Sequence, residues 1–484
     1  MNGIRSLLKC YDNLPIVAKA AMWYTICSII QKGMAVISTP IFTRMMTTEQ
    51  FGQFSIYISW LHILTIFVTL RLDGAVFNKG MSKYKADRDV YTASMQSYTI
   101  IITLILLLIY LLFREQINQI TELPTFIMAA IFVELLVTPA ISFWTLRKRY
   151  EYIYKQVVLC VLLMAFVSTV LGIVVVFVSS EKGYARILSS VLVNCVFGFL
   201  MLTYNYKKSN VFLKKEYIKY AVGFNLPLLL HYFSQYVLSQ FDRIMIQKMV
   251  SMAAAGIYSV SYSVGMLLKI VSRSIVSAIT PWQYKCLEKN EHKKMDDMLY
   301  PVFLIVACCS FFISGFAPEI MKILADKRYH EGVYVIPPVS MGLFFSFMYT
   351  VFANVEFYYD KNKFSMYISC AGAIINIILN YFCIQKFGFL AAAYTTLICY
   401  VFFAMGHYFY MSKSVKESTG VPQIFNTKRL LLLSLGVLTY GIIIIYFYDD
   451  VLIRYALIVL IVITACINGR KIFRVMNAIK KKNV

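Results

Sequence analysis

Stretches of about twenty apolar residues recur along almost the whole of this chain, separated by short polar gaps. The qualifying segments are 16–42, 51–72, 91–113, 123–146, 157–179, 185–204, 220–246, 253–279, 298–323, 332–357, 364–384, 388–410, 429–447 and 451–468. They predict about fourteen membrane-spanning helices, since roughly twenty apolar residues in a helix cross the hydrocarbon core of a bilayer. The gaps read as short turns with no room for a soluble domain. Lipid offers backbone polar groups no partner, so each segment must satisfy its own as a helix, and the predicted fold is an all-α membrane bundle. The stretch Met1 to Pro15 is too polar for a signal-peptide core and the first apolar segment too long for one, so it reads as an uncleaved span.

Lys and Arg crowd into every second gap. Lys79/Lys83/Lys85/Arg88, Arg147/Lys148/Arg149/Lys155 and Lys207/Lys208/Lys214/Lys215/Lys219 fill three of them. Lys285/Lys289/Lys293/Lys294, Lys361/Lys363, Lys413/Lys416/Lys428/Arg429 and the tail from Arg470 to Lys482 continue the series. Roughly 31 of the 47 cations lie on this side, about 10 on the other and about 6 within apolar segments. Basic loops stay cytoplasmic during insertion, which predicts an even number of spans and cytoplasmic termini. The composition, 60% hydrophobic and 15% charged, agrees with a polytopic membrane protein. In a soluble chain a formal charge of +23 would suggest nucleic acid; here its alternation explains it as topology and attraction to anionic lipid, so no nucleic-acid partner is expected. The eleven cysteines show no CxxC or Cys/His metal spacing, and most sit in apolar segments as small core residues.

An internal repeat is visible. Arg44-Met-Met-Thr-Thr-Glu-Gln-Phe-Gly52-Gln-Phe-Ser-Ile recurs as Lys248-Met-Val-Ser-Met-Ala-Ala-Ala-Gly256-Ile-Tyr-Ser-Val, a turn leading into a helix. Phe143-Trp-Thr-Leu-Arg-Lys-Arg-Tyr-Glu-Tyr-Ile has a weaker echo in Phe357-Tyr-Tyr-Asp-Lys-Asn-Lys-Phe-Ser-Met-Tyr. The expected organisation is therefore an N-terminal lobe, residues 1–204, and a C-terminal lobe, 220–410, joined by a basic linker, 205–219. Residues 411–484 add two helices and a basic tail. Six helices per half preserve direction, so the lobes are predicted to be parallel repeats, as in many transporters.

At these residues the chain resembles the polysaccharide-export flippases of the multidrug/oligosaccharidyl-lipid/polysaccharide superfamily. The marks are Thr47-Thr-Glu-Gln-Phe-Gly-Gln-Phe-Ser-Ile-Tyr57, Gly223-Phe-Asn-Leu-Pro227, Phe241-Asp-Arg-Ile-Met-Ile246, Ala255-Gly-Ile-Tyr-Ser-Val260 and the stretch from Asn380 to Thr396. Each is weak alone; their order along a fourteen-helix chain makes the resemblance specific. It implies a MATE-like fold of twelve core helices plus two. It also implies movement of undecaprenyl-diphosphate-linked oligosaccharide units to the outer leaflet of a bacterial inner membrane, for O antigen, capsule or a similar polymer.

Passing a diphosphate and a glycan through a low-dielectric layer requires a wet cavity with cations, because charges in lipid are costly and usually face one another or water. The cations inside or closing spans are Lys19, Lys32, Arg71, Lys269 and Arg273. Lys19, near the basic end, reads as snorkelling to the interface. Lys32, Arg71, Lys269 and Arg273 are the candidate substrate-binding cations, with an interfacial role as the alternative for Arg71 and Arg273. Lys269 and Arg273 are spaced i,i+4 and share a helix face. In the fold implied by the resemblance, the helices carrying these cations line the cleft between the lobes.

Glu134, Asp242, Arg243 and Glu356 are candidates for gating or ion coupling. For Asp242 and Arg243 an interhelical salt bridge competes with substrate contact, and for Glu134 a structural hydrogen bond competes with proton binding. No cofactor is expected beyond proton or sodium coupling. His62, His231 and His407 lack metal spacing and read as satisfied bundle residues, with proton relay as the lesser alternative. Pro40, Pro139, Pro227 and Pro281 are candidate kinks.

Three other functions compete with this one. A drug antiporter on the same fold would favour an acidic or neutral cavity, against the excess of cations here. A polymerase or glycosyltransferase needs a catalytic exterior loop, and no carboxylate pair has an acid/base arrangement. A peptidoglycan-precursor flippase shares the diphosphate and stays open. Partners are then the lipid-linked oligosaccharide and membrane lipid, with association with a polymerase or glycosyltransferases open and a monomer expected.

Overall fold

Each predicted span folds as a helix or a pair of helices in the computed structural model, which describes residues 14–361 and 363–463; none of these residues is in a strand. The tail cations from Arg470 onward lie outside the described residues. The chain divides into two compact units, the first ending at Tyr236 and the second beginning at Val237. The first contains α1 (Ile16–Met45), α2 (Thr48–Thr69), short α3 (Ala75–Lys83), α4 (Arg88–Leu112), short α5 (Arg114–Thr121), α6 (Thr125–Tyr150), α7 (Tyr154–Val178), α8 (Lys182–Lys207) and α9 (Lys215–Tyr236). The second opens on a π turn, Val237–Phe241. It continues with α10 (Asp242–Met249), α11 (Met252–Gly265), α12 (Leu267–Glu288), α13 (His292–Gly315), short α14 (Ala317–Leu324), α15 (Ile336–Tyr358), α16 (Lys363–Phe387), α17 (Ala391–Thr419), α18 (Thr427–Tyr446) and α19 (Val451–Ile463).

Among the described residues, 12 helical stretches are long and apolar enough to cross a bilayer. The predicted seventh span is the interrupted run of α9, π turn and α10, too polar to pass that threshold; α19 supplies the shorter last helix. Both units repeat one order of elements, with a short helix (α5, α14) after the third span. The aligned turn residues of the repeat have the same job. Thr47 caps α2 through a capping box with Gln50, and Ser251 caps α11 by accepting from Ala254 N–H. Lipid-facing surfaces are plain in α7, where Leu159, Leu163, Phe166, Val170 and Val174 are exposed at helical spacing.

Three expectations change. The boundary between units falls after α9, not in the linker 205–219, because α9 packs on α2, α3 and α4. Tyr217 and Tyr220 of α9 join Tyr84, Tyr91 and Phe77 in one aromatic cluster, with the Tyr84 and Tyr217 rings 4.3 Å apart. Beside it, outside the spans, Lys214 donates to Tyr217 Oη at 3.0 Å, and this bond is the main reason its ammonium is held above the ordinary lysine range. Second, segment 298–323 is two helices, α13 and α14, broken at Phe316 with Pro318 starting the next turn. Third, the connections are more than turns. α3, α5 and α14 are short helices with a polar face, which apolar-run length alone passes over.

The first unit holds a strained corner. Leu70 (φ 45°) and Arg71 (φ 54°) end α2 in consecutive left-handed conformations, which side chains other than Gly seldom adopt. Asn225 of α9, 1% exposed, donates to both freed carbonyls, Leu70 at 3.0 Å and Arg71 at 2.7 Å. This is the physical task of the Asn in Gly-Phe-Asn-Leu-Pro. Asn225→Ala is expected to destabilise the fold by about 2 kcal/mol, because buried carbonyls then lack donors and the strain is unopposed. Thermal melting in detergent checks this, and an unchanged melting temperature would remove Asn225 as the anchor of that corner.

Candidate functional site

Of the carboxylates buried among the described residues, Glu134, Asp242 and Glu356 were the candidates for gating or coupling, and each has a different environment. In the first unit Glu134 of α6, 3% exposed, accepts from Tyr57 Oη of α2 and from Asn194 Nδ2 of α8 at 2.8 Å. One residue therefore ties three helices. Close approach makes this possible. Gly198, one turn beyond Asn194, lies so near the Val137 backbone that a Cβ there would sit 2.9 Å from its carbonyl. Glu134 makes the structural hydrogen bonds weighed for it above.

Asp242 begins α10 directly after the π turn, a helical irregularity common at functional positions. It is 1% exposed and accepts from Tyr258 Oη at 2.8 Å, Asn380 Nδ2 at 2.7 Å and Thr396 Oγ1 at 3.0 Å. Asn380 in turn donates to Asn376 Oδ1 at 3.2 Å and accepts from Thr395 Oγ1. Four helices (α10, α11, α16 and α17) thus converge on one charged group, surrounded by neutral oxygen-bearing side chains. Its three partners, and the Asn376 and Thr395 that bond to Asn380, are all buried.

The interhelical salt bridge weighed for Asp242 and Arg243 is not seen for either residue among the described residues. Adjacent residues on a helix point apart, and Arg243 turns instead to Ser259 Oγ at 3.1 Å, the Ser239 carbonyl and the Tyr262 ring at 4.7 Å.

Glu356, closing α15, is fully buried and pairs with His407 of α17, Nδ1 to Oε1 at 2.9 Å; Ser365 of α16 lies at 3.5 Å. His407 is also flanked by the rings of Tyr349 and Phe364. Its satisfied state matches the reading from sequence, although its partner was not legible there. The three carboxylates stand in separate networks, so no two of them form an acid/base pair.

Of the candidate cations, Lys32 lies half-buried on α1. Arg71 is 3.7 Å from Asp73 and faces the Tyr232 ring at 5.8 Å, its side chain 34% exposed. Both belong to the first unit. Lys269, half-buried, and Arg273, exposed, are one turn apart on α12 in the second, and among the described residues no carboxylate pairs with either. Two further cations escaped the sequence reading. Arg186 of α8 lies between the rings of Phe42 and Phe54, at 4.4 and 4.8 Å. Arg454 of α19, 2% exposed, pairs with Glu319 of α14 and so fastens the last helix to the second unit. Their positions at segment ends made them look like loop residues.

An apolar groove of about 280 Å³ runs between α15, α17 and α18, lined by Met348, Phe352, Met405, Phe409, Leu431 and Leu435 among others. Its end near the basic α17–α18 connection carries a hydrogen bond between Tyr408 Oη and Thr427 Oγ1.

A family model described as "Polysaccharide biosynthesis protein" matches residues 17–286, more than half of the chain. The chain belongs to the polysaccharide biosynthesis protein family. A second model, MatE, matches residues 227–382 of this family member. It is 23% identical over 369 residues to "Lsg locus putative protein 1" of Haemophilus influenzae, a match covering 75% of this chain and 90% of that protein. It is 21% identical over 415 residues to a "probable low-salt glycan biosynthesis flippase" of Haloferax volcanii, covering 84% and 86%.

Solved structures agree on the fold. The lipid II flippase MurJ in an inward closed conformation superposes with a TM-score of 0.66 at 14% identity, covering 93% of this chain and 99% of that one. An inward-facing multidrug resistance MATE transporter gives 0.56 at 13% identity, covering 83% and 99%. The polysaccharide biosynthesis protein therefore has the MATE-like transporter fold that its turn motifs predict.

Proposed function

We propose that this chain is a flippase that moves undecaprenyl-diphosphate-linked oligosaccharide from the cytoplasmic to the outer leaflet of a bacterial inner membrane, by alternating access, for assembly of O antigen, capsule or a similar surface polysaccharide. The observation that carries the reading is the pair Lys269 and Arg273. These are two cations one turn apart in a spanning helix of a polysaccharide biosynthesis protein, with no carboxylate among the described residues to neutralise them. Such charges are strongly disfavoured in lipid unless an anion or water meets them, and a diphosphate is the anion this cargo brings. Lys32 and Arg71 are proposed as head-group cations of the first unit. The Haloferax relative described as a probable glycan biosynthesis flippase supports the cargo class. The apolar groove beside α18 offers a charge-free seat for the isoprenoid while the head group crosses.

Coupling is assigned to Asp242. One buried carboxylate amid the side-chain oxygens of Asn376, Asn380, Thr395 and Thr396 suits a hard monovalent cation or a proton, whereas Glu134 and Glu356 have fewer oxygen neighbours. The alternation of basic connections supports cytoplasmic termini. The working unit is proposed to be a monomer, with loose association with a polymerase or glycosyltransferases.

The test is leaflet-resolved accumulation of the undecaprenyl-diphosphate oligosaccharide in a deletion strain, complemented with wild type or with Lys32→Ala/Lys269→Ala. Accumulation in the cytoplasmic leaflet, relieved by wild type and at least about tenfold less well by the variant, is the expected result. Relief by both proteins keeps the function and removes those lysines from it. Normal translocation in a deletion strain without a second flippase sinks the cargo. Accumulation of the peptidoglycan precursor instead would transfer the role to that lipid.

A further inference from the structure

Lys148 and Arg147 are neighbours near the end of α6, both buried, and they are treated differently by the fold. Arg147 is bonded to Asp89 and Glu151. Among the described residues, Lys148, 6% exposed, has one hydrogen-bond partner for its ammonium, the phenol of Tyr204 on α8 at 2.9 Å, and no carboxylate pairs with it. A buried ammonium held only by a neutral hydroxyl is short of a counter-charge. What surrounds it is more positive charge. Lys208, just after α8, lies over the same Tyr204 ring at 5.0 Å, and Lys148 is 5.1 Å from that ring. Arg149 lies over the Tyr24 ring of α1 at 4.9 Å, and Tyr24 Oη is buried with no hydrogen-bond partner.

Tyr24 and Tyr204 pack against one cluster built on Trp144, Val157 and Cys160. Three cations and two phenols, one of them unsatisfied, are thus gathered around a single aromatic spot at the basic end of the first unit. Among the described residues neither Arg149 nor Lys208 is paired with a carboxylate. Met164, Phe197 and Met201 extend the cluster along α7 and α8, and beyond them Leu163, Phe166, Phe199 and Leu200 are exposed where lipid would lie.

We propose that Lys148, Arg149, Lys208, Tyr24 and Tyr204 form a binding site for a phosphate carried on a membrane lipid. Its anionic head group neutralises Lys148, and its hydrocarbon chain lies along the apolar face of α7 and α8. The chemistry explains the residue types. Ammonium and guanidinium groups meet phosphate oxygens, phenols donate to them, and the interfacial aromatic residues mark the depth at which a head group sits. A phosphodiester of an anionic phospholipid and the diphosphate of a lipid-linked sugar share this chemistry. The site is separate from Lys269 and Arg273, and it stands whether or not the chain flips an oligosaccharide.

The test uses purified full-length protein in a neutral detergent, with native mass spectrometry and thermal melting as readouts. Phosphatidylglycerol is expected to bind and raise the melting temperature, and diacylglycerol, which lacks the phosphate, is not. Lys148→Met/Lys208→Gln is expected to weaken phosphatidylglycerol binding at least about tenfold, since two charged contacts are lost. A control with equal charge loss in another basic connection, Lys289→Gln/Lys293→Gln, keeps wild-type affinity. Should Lys148→Met fail to fold, Arg149→Gln/Lys208→Gln, both at exposed positions, is expected to lose about threefold or more by the same reasoning.

Tighter retention of undecaprenyl diphosphate than of phosphatidylglycerol supports the site and names the polyprenyl lipid as its occupant; the reverse order names the phospholipid. Equal binding of phosphatidylglycerol to wild type and the first variant overturns the proposal, as does equal binding of diacylglycerol. Saturation by inorganic phosphate as readily as by the lipid also overturns it, because the apolar face would then contribute nothing.

Discussion

Asp242→Asn is expected to slow translocation at least about tenfold and to abolish its dependence on a sodium or proton gradient, while the protein still folds. The reason lies in who surrounds the carboxylate. Tyr258 Oη and Thr396 Oγ1 both approach Oδ2, and Asn380 Nδ2 approaches Oδ1. An amide placed with its oxygen toward Asn380 presents its NH₂ to two hydroxyls, and both can turn to accept. The hydrogen bonds are thus largely rebuilt, at a loss of about 1 kcal/mol, but the charge that would attract a cation is gone. Asp242→Ala differs: it strands three buried donors and is expected to lose both folding and transport. The check is the initial rate in proteoliposomes with and without each gradient, alongside the melting temperature. An Asp242→Asn protein whose rate still follows the gradient would move the coupling elsewhere.

Glu134→Ala should give the complementary phenotype, a loss of about 3 kcal/mol of stability, because Tyr57 Oη and Asn194 Nδ2 are left buried without an acceptor. The damage is structural, since α6 loses the side chain that hydrogen-bonds to both α2 and α8. Glu134→Gln retains an oxygen for Tyr57, and a flip of the Asn194 amide restores the second bond, so a smaller loss of about 1 kcal/mol is expected. A double-mutant cycle with Tyr57→Phe, read by thermal melting, should show strong coupling between the two positions. If Ala and Gln at position 134 melt alike, Glu134 is not the tie, and its place as a coupling carboxylate reopens. Together the two experiments separate a carboxylate that holds charge for an ion from one that holds helices.

Particular residues show where sequence reading stops. Thr47 and Ser251 were legible as equivalent turn residues because an N-cap acts on a backbone N–H three residues away. His407 looked solitary because Glu356 is 51 residues distant. Asn376, Asn380, Thr395 and Thr396 lie 134 or more residues beyond Asp242 in the chain; Asn380 to Thr396 was noted only as a family-like turn, and nothing in its spacing marks it as the cradle of a carboxylate. Arg147 and Lys148 are indistinguishable as members of a basic loop, yet one finds two carboxylates and the other finds none.

The sequence by itself determined the order of the long apolar helices, the basic and cation-poor connections, and the matching turn residues of the repeat. These are local quantities: the apolar length needed to cross a bilayer, the charge of each short connection, and the caps that start α2 and α11. Only the tertiary structure decided that α9 joins the first unit, that 298–323 breaks at Phe316, and which buried charge meets which partner. Those outcomes depend on side chains from distant segments competing for the same space, and no window along the chain contains both sides of that competition.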